Sequence, residues 1–163
     1  MNNQDKSLLV QSVVESVVSS IKTAQQDKMT LDLALKLCEK VKAKAKEMGV
    51  NAVVAVSDAG ANPICVQCMD DAYIASYDIA VNKAFTSVSL KMPTSTLRDL
   101  AAPGGSLYGI QFTNNGKIVI FGGGVPLYGK SGNIIGGLGV SGGSEPQDTA
   151  LGDFGGEAFN TLI

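Results

Sequence analysis

The feature that most constrains this chain is a glycine-rich segment, residues 121–143, with the sequence FGGGVPLYGKSGNIIGGLGVSGG. Residues typical of strands flank a Gly-Lys-Ser-Gly-Asn stretch at 129–133, whose composition is typical of a turn. The pattern predicts a hairpin with strands at residues 117–121 and 134–140. Because glycine has no side chain, such a sheet lets a helix, another backbone or a flat ligand approach closely.

The same segment contains a formal match to the phosphate-binding P-loop, from Gly124 to Ser131. A P-loop works because a helix begins at its Lys-Ser step, so that backbone amides point at the phosphate. Here Gly132 and Asn133 follow, and residues 134–140 are rich in glycine and β-branched residues, which do not open a stable helix. The sequence therefore predicts a turn between strands and not a nucleotide site.

Histidine and tryptophan are absent from the sequence. A Ser-His-Asp triad, a histidine general base and a histidine-ligated metal are therefore excluded. Cys65 and Cys68 have the C-x-x-C spacing, but they lie in a predicted strand, where positions three apart point to opposite faces. With Cys38 as the third cysteine, we predict buried structural thiols and no metal site.

Length and charge indicate a single soluble domain. The chain has 163 residues, of which 45% are hydrophobic and 17% charged, and its net charge is −2. This balance provides no basic field for nucleic acid. The odd number of cysteines and the absence of a basic segment at the amino terminus predict a cytoplasmic protein. No apolar run reaches about 18 residues, so we expect that the protein does not enter a membrane.

The periodicity of apolar residues predicts helices at 7–22, 31–48, 72–90, 95–101 and 148–162, and two further strands at 50–57 and 63–69. Residues 23–28 are polar and predict a linker, which divides the chain into an amino-terminal amphipathic helix, 1–27, and a domain, 28–163. Two hairpins without a βαβ repeat predict a mostly antiparallel sheet with helices on its faces. The expected class is α+β in three layers.

Six segments, in order along the chain, carry a resemblance to a known family: Met48-Gly49-Val50 leading into residues 53–60, Cys68-Met69-Asp70-Asp71-Ala72, Asn82-Lys83-Ala84, Leu107-Tyr108-Gly109, residues 121–126, and residues 139–143 followed by Asp148. The chain resembles the GlcG/HbpS-like haem-binding-protein family, whose domain also forms the carboxy-terminal domain of the propanediol-utilisation adenosyltransferase PduO. The resemblance covers residues 29–160. It implies a profilin-like three-layer α/β/α fold with a five-stranded antiparallel sheet, homo-oligomers, and the binding of haem or a related tetrapyrrole. Histidine ligation of that haem is excluded.

The matched segments identify candidate cofactor-binding residues: Met69, Lys83, Tyr108, Gly109, Gly122, Gly123, Gly124, Gly139 and Ser141. In the absence of histidine, an iron would have to use soft donors or phenol oxygens, which are Met69, Met92, Cys65, Tyr77 and Tyr108. For the sulfur-containing residues the alternative is packing in the core.

Two charged residues are candidates for chemistry, and each has a simpler alternative. Lys83 is either a solvated lysine or a half-buried partner for a carboxylate or phosphate. Asp58 either satisfies the amides of a Ser-Asp-Ala-Gly turn or acts with Lys83 as an acid/base pair.

The sequence thus predicts a small accessory protein that binds a planar or anionic cofactor without catalytic turnover, in a diol or glycolate utilisation pathway. One alternative is an enzyme acting on a small hydroxy acid or diol-pathway metabolite, and another is a non-catalytic microcompartment cargo or adaptor. Residues 7–22 resemble the amphipathic tags that dock cargo on microcompartment shell proteins. The alternative is a helix that packs on the domain or at a subunit interface. Membrane-surface binding is disfavoured because few cations flank the apolar face.

Overall fold

The computed structural model describes residues 3–163, with side chains described for residues 5–21 and 27–163. The helices are α1 (Asn3–Gln26), α2 (Leu31–Glu47), α3 (Ser76–Ser89), α4 (Thr94–Ala101) and α5 (Glu145–Asn160). The strands are β1 (Val53–Asp58), β2 (Pro63–Cys68), β3 (Gly124–Tyr128) and β4 (Ile134–Ser141). Within the described residues, no helix is long and apolar enough to span a bilayer.

The strands form one antiparallel sheet in the order β2-β1-β4-β3. The predicted turn at residues 129–133 joins β3 to β4, and Ile134 begins a strand and not the helix that a P-loop would require. The antiparallel α+β prediction is therefore confirmed. The expectation of five strands is wrong for the described residues, which form four.

The predicted strand at residues 117–121 is also wrong, because this segment lies outside the sheet. The hydroxyl of Thr86 on α3 accepts a hydrogen bond from the Val119 amide at 3.0 Å, and it lies 2.7 Å from the Asn82 carbonyl of its own helix and 3.2 Å from the Lys117 carbonyl, between which its one proton is shared. A side chain of α3 thus satisfies backbone groups that a neighbouring strand would otherwise pair. The first strand of the hairpin is β3, which begins at Gly124, three residues after the end of the predicted strand.

Helices cover both faces of the sheet. On one face, α2 and α5 bury the main core, which includes Leu37, Val41, Leu138, Leu151 and Phe159. On the other face, α3 crosses β1, β4 and β3. The three-layer arrangement expected from the sequence is therefore present.

Local signals explain where the helices that frame the sheet begin. The Thr30 hydroxyl caps α2 by accepting a hydrogen bond from the Leu33 amide at 3.2 Å. Ser144 and Gln147 form a capping box at the start of α5. The linker predicted at residues 23–28 is shorter than expected, because the backbone of α1 stays helical to Gln26.

Candidate functional site

Gly137 and Gly139 of β4 and Gly124 of β3 are covered by helix α3. A Cβ atom built on Gly139 would collide with the backbone oxygen of Ala80, and one built on Gly124 would lie 2.7 Å from the backbone oxygen of Lys83. A Cβ on Gly137 would lie 2.7 Å from the Ala84 oxygen. The sequence allowed a helix, another backbone or a flat ligand to approach these glycines, and in the structure a helix does so.

Lys83 projects from α3 into this contact and is fully buried, with 0% of its surface exposed. Its Nζ donates hydrogen bonds to Asp148 Oδ2 and to the Val140 carbonyl, each at 2.8 Å. The ring of Phe121 lies 5.0 Å from the same Nζ. Lys83 is therefore neither solvated nor open to an external anion.

Burial and pairing act in opposite directions on this lysine. Desolvation lowers the pKa of Lys83, and the carboxylate of Asp148 partly offsets that effect, so that the net pKa lies below its ordinary value. Asp148 is held from its other side, because Oδ1 accepts a hydrogen bond from the Gly143 amide at 2.9 Å. The pair links α3, β4 and the start of α5 into one unit.

The structure brings six of the nine candidate cofactor residues together around this pair, and all six are buried: Lys83, Gly122, Gly123, Gly124, Gly139 and Ser141. A Cβ on Gly122 would overlap the Thr149 hydroxyl, and Gly123 has a φ of 111°, a conformation that favours glycine. Ser141 donates a hydrogen bond to the Ser76 hydroxyl at 3.1 Å. Side chains and backbone of this chain occupy the space around each of them.

Asp58 lies at the other end of the sheet. Asp58 pairs with Gly136 of β4, four residues from Val140, which corresponds to about 13 Å along the strand. Asp58 Oδ1 accepts hydrogen bonds from the amides of Gly60 at 2.8 Å and Asn62 at 2.9 Å. Desolvation raises the pKa of Asp58, but these hydrogen bonds outweigh it, and the net pKa lies below its ordinary value. The structure therefore does not bring Asp58 and Lys83 together as an acid/base pair.

Met69 lies in a different place, beside two adjoining cavities of about 570 Å³ and 400 Å³ that share Asn51 and Asp71 in their walls. We call the combined space the Met69 groove. The larger cavity also touches Glu39, Lys42, Lys46 and Asp70, and the smaller one Gly49, Val50, Tyr73, Gly143 and Gln147. The groove thus runs from the outer side of α2 to the start of α5.

Two donor types and two cations line this groove. The thioether of Met69 accepts a weak hydrogen bond from the Ala52 amide at 3.4 Å, and Tyr73 exposes 72% of its surface. Lys42 is paired with Glu39 at 2.8 Å, and Lys46 is exposed. The sequence analysis identified Met69 but missed Tyr73 and both lysines. Tyr73 follows a segment that carries the family resemblance, and this position was the one sequence signal for any of the three residues.

The remaining predicted donors are scattered. Tyr77 and Tyr108 are exposed, and Gly109 adjoins the exposed Phe112 in the loop after α4. Met92 is half-buried.

The prediction of buried thiols is confirmed for Cys38 and Cys65, whose sulfur atoms lie 3.7 Å apart, and is wrong for Cys68, which is exposed. Burial and the neighbouring Cys65 raise the pKa of the Cys38 thiol. Among the described residues, no group of three or more cysteine, aspartate or glutamate side chains is placed to hold a metal ion.

Comparison with known proteins places this geometry in a family. A family model described as "Haem degrading protein HbpS-like" matches residues 29–155. The chain belongs to the HbpS-like family. The match contains β1–β4, α2–α4, both cavities of the Met69 groove and the Lys83–Asp148 pair, whereas α1 lies before it.

Three relatives in this HbpS-like family are informative. An uncharacterized 15.0 kDa protein from the dhaT-dhaS intergenic region of Citrobacter freundii is 44% identical over 141 residues, which cover 86% of this chain and 99% of that protein. The corrinoid adenosyltransferase PduO of Citrobacter freundii is 34% identical over 86% of this chain, which spans only 43% of PduO. A crystal structure of a PduOC:heme complex is 35% identical, with a TM-score of 0.76, and covers 80% of this chain and 94% of that one.

Proposed function

We propose that this HbpS-like chain is an accessory protein that binds haem or a related tetrapyrrole, and that the cofactor lies in the Met69 groove. One observation carries the location. Three segments that carry the family resemblance, Met48-Gly49-Val50, residues 68–72 and residues 139–143, are far apart in sequence and contribute residues to this groove. The relative in complex with haem supports the type of ligand.

The chemistry of the groove fits a tetrapyrrole. Thioether and phenol groups are both known axial donors to haem iron, and Met69 and Tyr73 supply one of each. Lys46 would provide an ammonium group for a carboxylate of the haem periphery, and Lys42 would provide a second by exchanging its partner Glu39; the groove also carries the carboxylates of Asp70 and Asp71. The bound iron would supply redox chemistry. The residues of the groove would hold the ring, and either Met69 or Tyr73 would act as one weak donor, which in the absence of histidine favours a high-spin iron.

The cellular setting follows from the relatives. We propose that the protein acts in a diol utilisation pathway, in the cytoplasm or inside a bacterial microcompartment, and the likeness to PduO supports this setting. Turnover of a hydroxy acid by Asp58 and Lys83 is not part of the proposal, because those two side chains lie apart and Lys83 is buried.

A titration tests this proposal. Purified protein is titrated with haem, and in parallel with cobalamin, and binding is read from the absorbance spectrum. We expect saturable binding of haem at one per chain with a high-spin spectrum. Changing Lys42→Glu together with Lys46→Glu should weaken binding about tenfold or more, which corresponds to ~1.4 kcal/mol.

The matched control is Lys91→Glu together with Lys130→Glu, since both residues are exposed and lie outside the groove. Met69→Leu should alter the spectrum, whereas Tyr108→Phe should leave it unchanged. Saturable binding that is insensitive to Lys42, Lys46 and Met69 would exclude the groove, and the absence of saturable binding would exclude the function.

A further inference from the structure

Helix α1 presents an apolar face to solvent. Every described side chain of α1, from residue 5 to residue 21, is exposed. Eight of them are large and apolar, with 43–63% of their surface exposed: Leu8, Leu9, Val10, Val13, Val14, Val17, Val18 and Ile21. Single exposed apolar residues are ordinary on a protein surface, but seven of these eight, all except Leu8, lie on one half of the helix, which indicates a contact surface.

The shared domain does not account for this helix. The family match begins at residue 29, after α1 has ended at Gln26. A helix that contains so many valines is also poorly stable by itself in water, since β-branched side chains lose rotamer freedom in a helix. Its stability therefore depends on a partner that covers the apolar face.

The spacing of the apolar residues indicates which partner fits. Four β-branched residues recur at intervals of four, three and four positions: Val10, Val14, Val17 and Ile21. This is the heptad spacing of helices that pack against other helices, and it extends over less than two heptads. β-Branched residues at both seam positions, with Val13 and Val18 beside the seam, favour a bundle of three or more helices over a pair.

The charges of α1 are consistent with self-association. Between residues 5 and 21 the charged residues are Asp5, Lys6 and Glu15, and the rest of the polar face consists of serine and glutamine. Gln11 donates a hydrogen bond to Glu15 at 3.2 Å on that polar face. Together with Lys22, which follows in α1, the helix has two basic residues, too few to bind an anionic membrane surface, and identical copies would meet little charge repulsion.

We propose that α1 packs against the α1 helices of other copies of this chain, forming a bundle of at least three helices along the Val10–Ile21 seam. The bundle joins protomers outside the HbpS-like domain. It does not depend on tetrapyrrole binding in the Met69 groove.

The test compares two variants of the full chain that each carry two added glutamates. Val14→Glu with Val17→Glu places the charges in the seam, and Ser12→Glu with Ser19→Glu places them on the opposite side of the helix. Molar mass is measured by sedimentation over a range of protein concentrations. If the α1 helices alone join the protomers, the seam variant should lose at least two thirds of the wild-type mass. If the domains also associate, its mass should fall to that of the oligomer held by the domain contacts. The control variant should keep the wild-type mass.

A second measurement follows the helix directly. Because α1 should need its partners to stay helical, the seam variant should lose far-ultraviolet circular dichroism equivalent to α1 while the domain stays folded, and the control should not. A seam variant with wild-type mass at all concentrations would overturn the proposal. The same result together with lost co-sedimentation with a microcompartment shell protein would assign α1 to a shell contact instead.

Discussion

Substitution of Lys83 gives the most direct test of how the sheet and its helices are held together. In Lys83→Met, the carboxylate of Asp148, with 5% of its side chain exposed, loses its partner at 2.8 Å, and the Val140 carbonyl loses a donor at the same distance. Among the described residues, only the Gly143 amide still donates to Asp148. Removing one partner of a buried ion pair costs about 3–5 kcal/mol, so we expect a loss of that size in the free energy of unfolding.

The double variant Lys83→Met with Asp148→Leu separates a stranded charge from a simple loss of packing. It removes both charges, and replacement of a complete buried pair by apolar groups is often neutral or stabilising. We therefore expect the double variant to be more stable than Lys83→Met alone by about 2 kcal/mol or more. The measurement is urea unfolding followed by circular dichroism at one fixed protein concentration, because oligomer formation shifts the apparent stability.

The matched control is Lys117→Met. Its ammonium also lies near an aromatic ring, at 5.5 Å from Phe85, but the residue is exposed. We expect a change of no more than about 1 kcal/mol. A loss below about 1 kcal/mol in Lys83→Met, or a double variant less stable than the single one, would refute the reasoning that the pair is a buried, mutually dependent unit.

Three further predictions concern glycine packing, a turn and the P-loop match. Gly139→Ala should destabilise the protein by about 1–3 kcal/mol because its Cβ meets the Ala80 oxygen. Gly156→Ala in α5, whose Cβ would make an ordinary contact with Val125 of β3 at 3.6 Å, should stabilise the protein by about 0.5–1 kcal/mol, and thermal unfolding of both variants checks the contrast. Asp58→Asn should be less stable than wild type at pH 7. This difference in stability should disappear as the pH falls through the depressed pKa of Asp58, and the midpoints of urea unfolding at pH 7 and below about pH 3 measure it. Lys130→Ala, in an exposed turn, should change stability by less than about 0.5 kcal/mol, and neither form should bind ATP in calorimetry.

Local sequence signals predicted the parts of the fold that depend on local chemistry. The Gly-Lys-Ser-Gly-Asn turn at 129–133 and the helix that begins at Leu31 are set by residues close in sequence, and both lie where the pattern indicated. Residues 117–121 have the composition of a strand but are held by Thr86, more than 30 residues away. A contact between residues so far apart in sequence does not alter the local periodicity of apolar residues, so the sequence pattern could not predict it.

The candidate site was predictable in part for the same reason. Glycines such as Gly139 indicated a close approach, but the sequence left open whether a helix or a ligand makes it. The Met69 groove depends on the meeting of Lys46, Asn51, Tyr73 and Gly143, which only the packed sheet and helices bring together. The family resemblance located Met69, while the rest of the wall required the fold.

The contact between α3 and β4 also restricts how this chain can vary. A larger residue in a core is usually accommodated when its neighbour becomes smaller, but the neighbour of Gly139 is the main-chain oxygen of Ala80, and no substitution removes that atom. A suppressor of a Gly139 substitution would therefore have to displace the whole of α3, and we expect such suppressors in the segments that enter and leave that helix. Pairwise covariation should be weak at this position for the same reason.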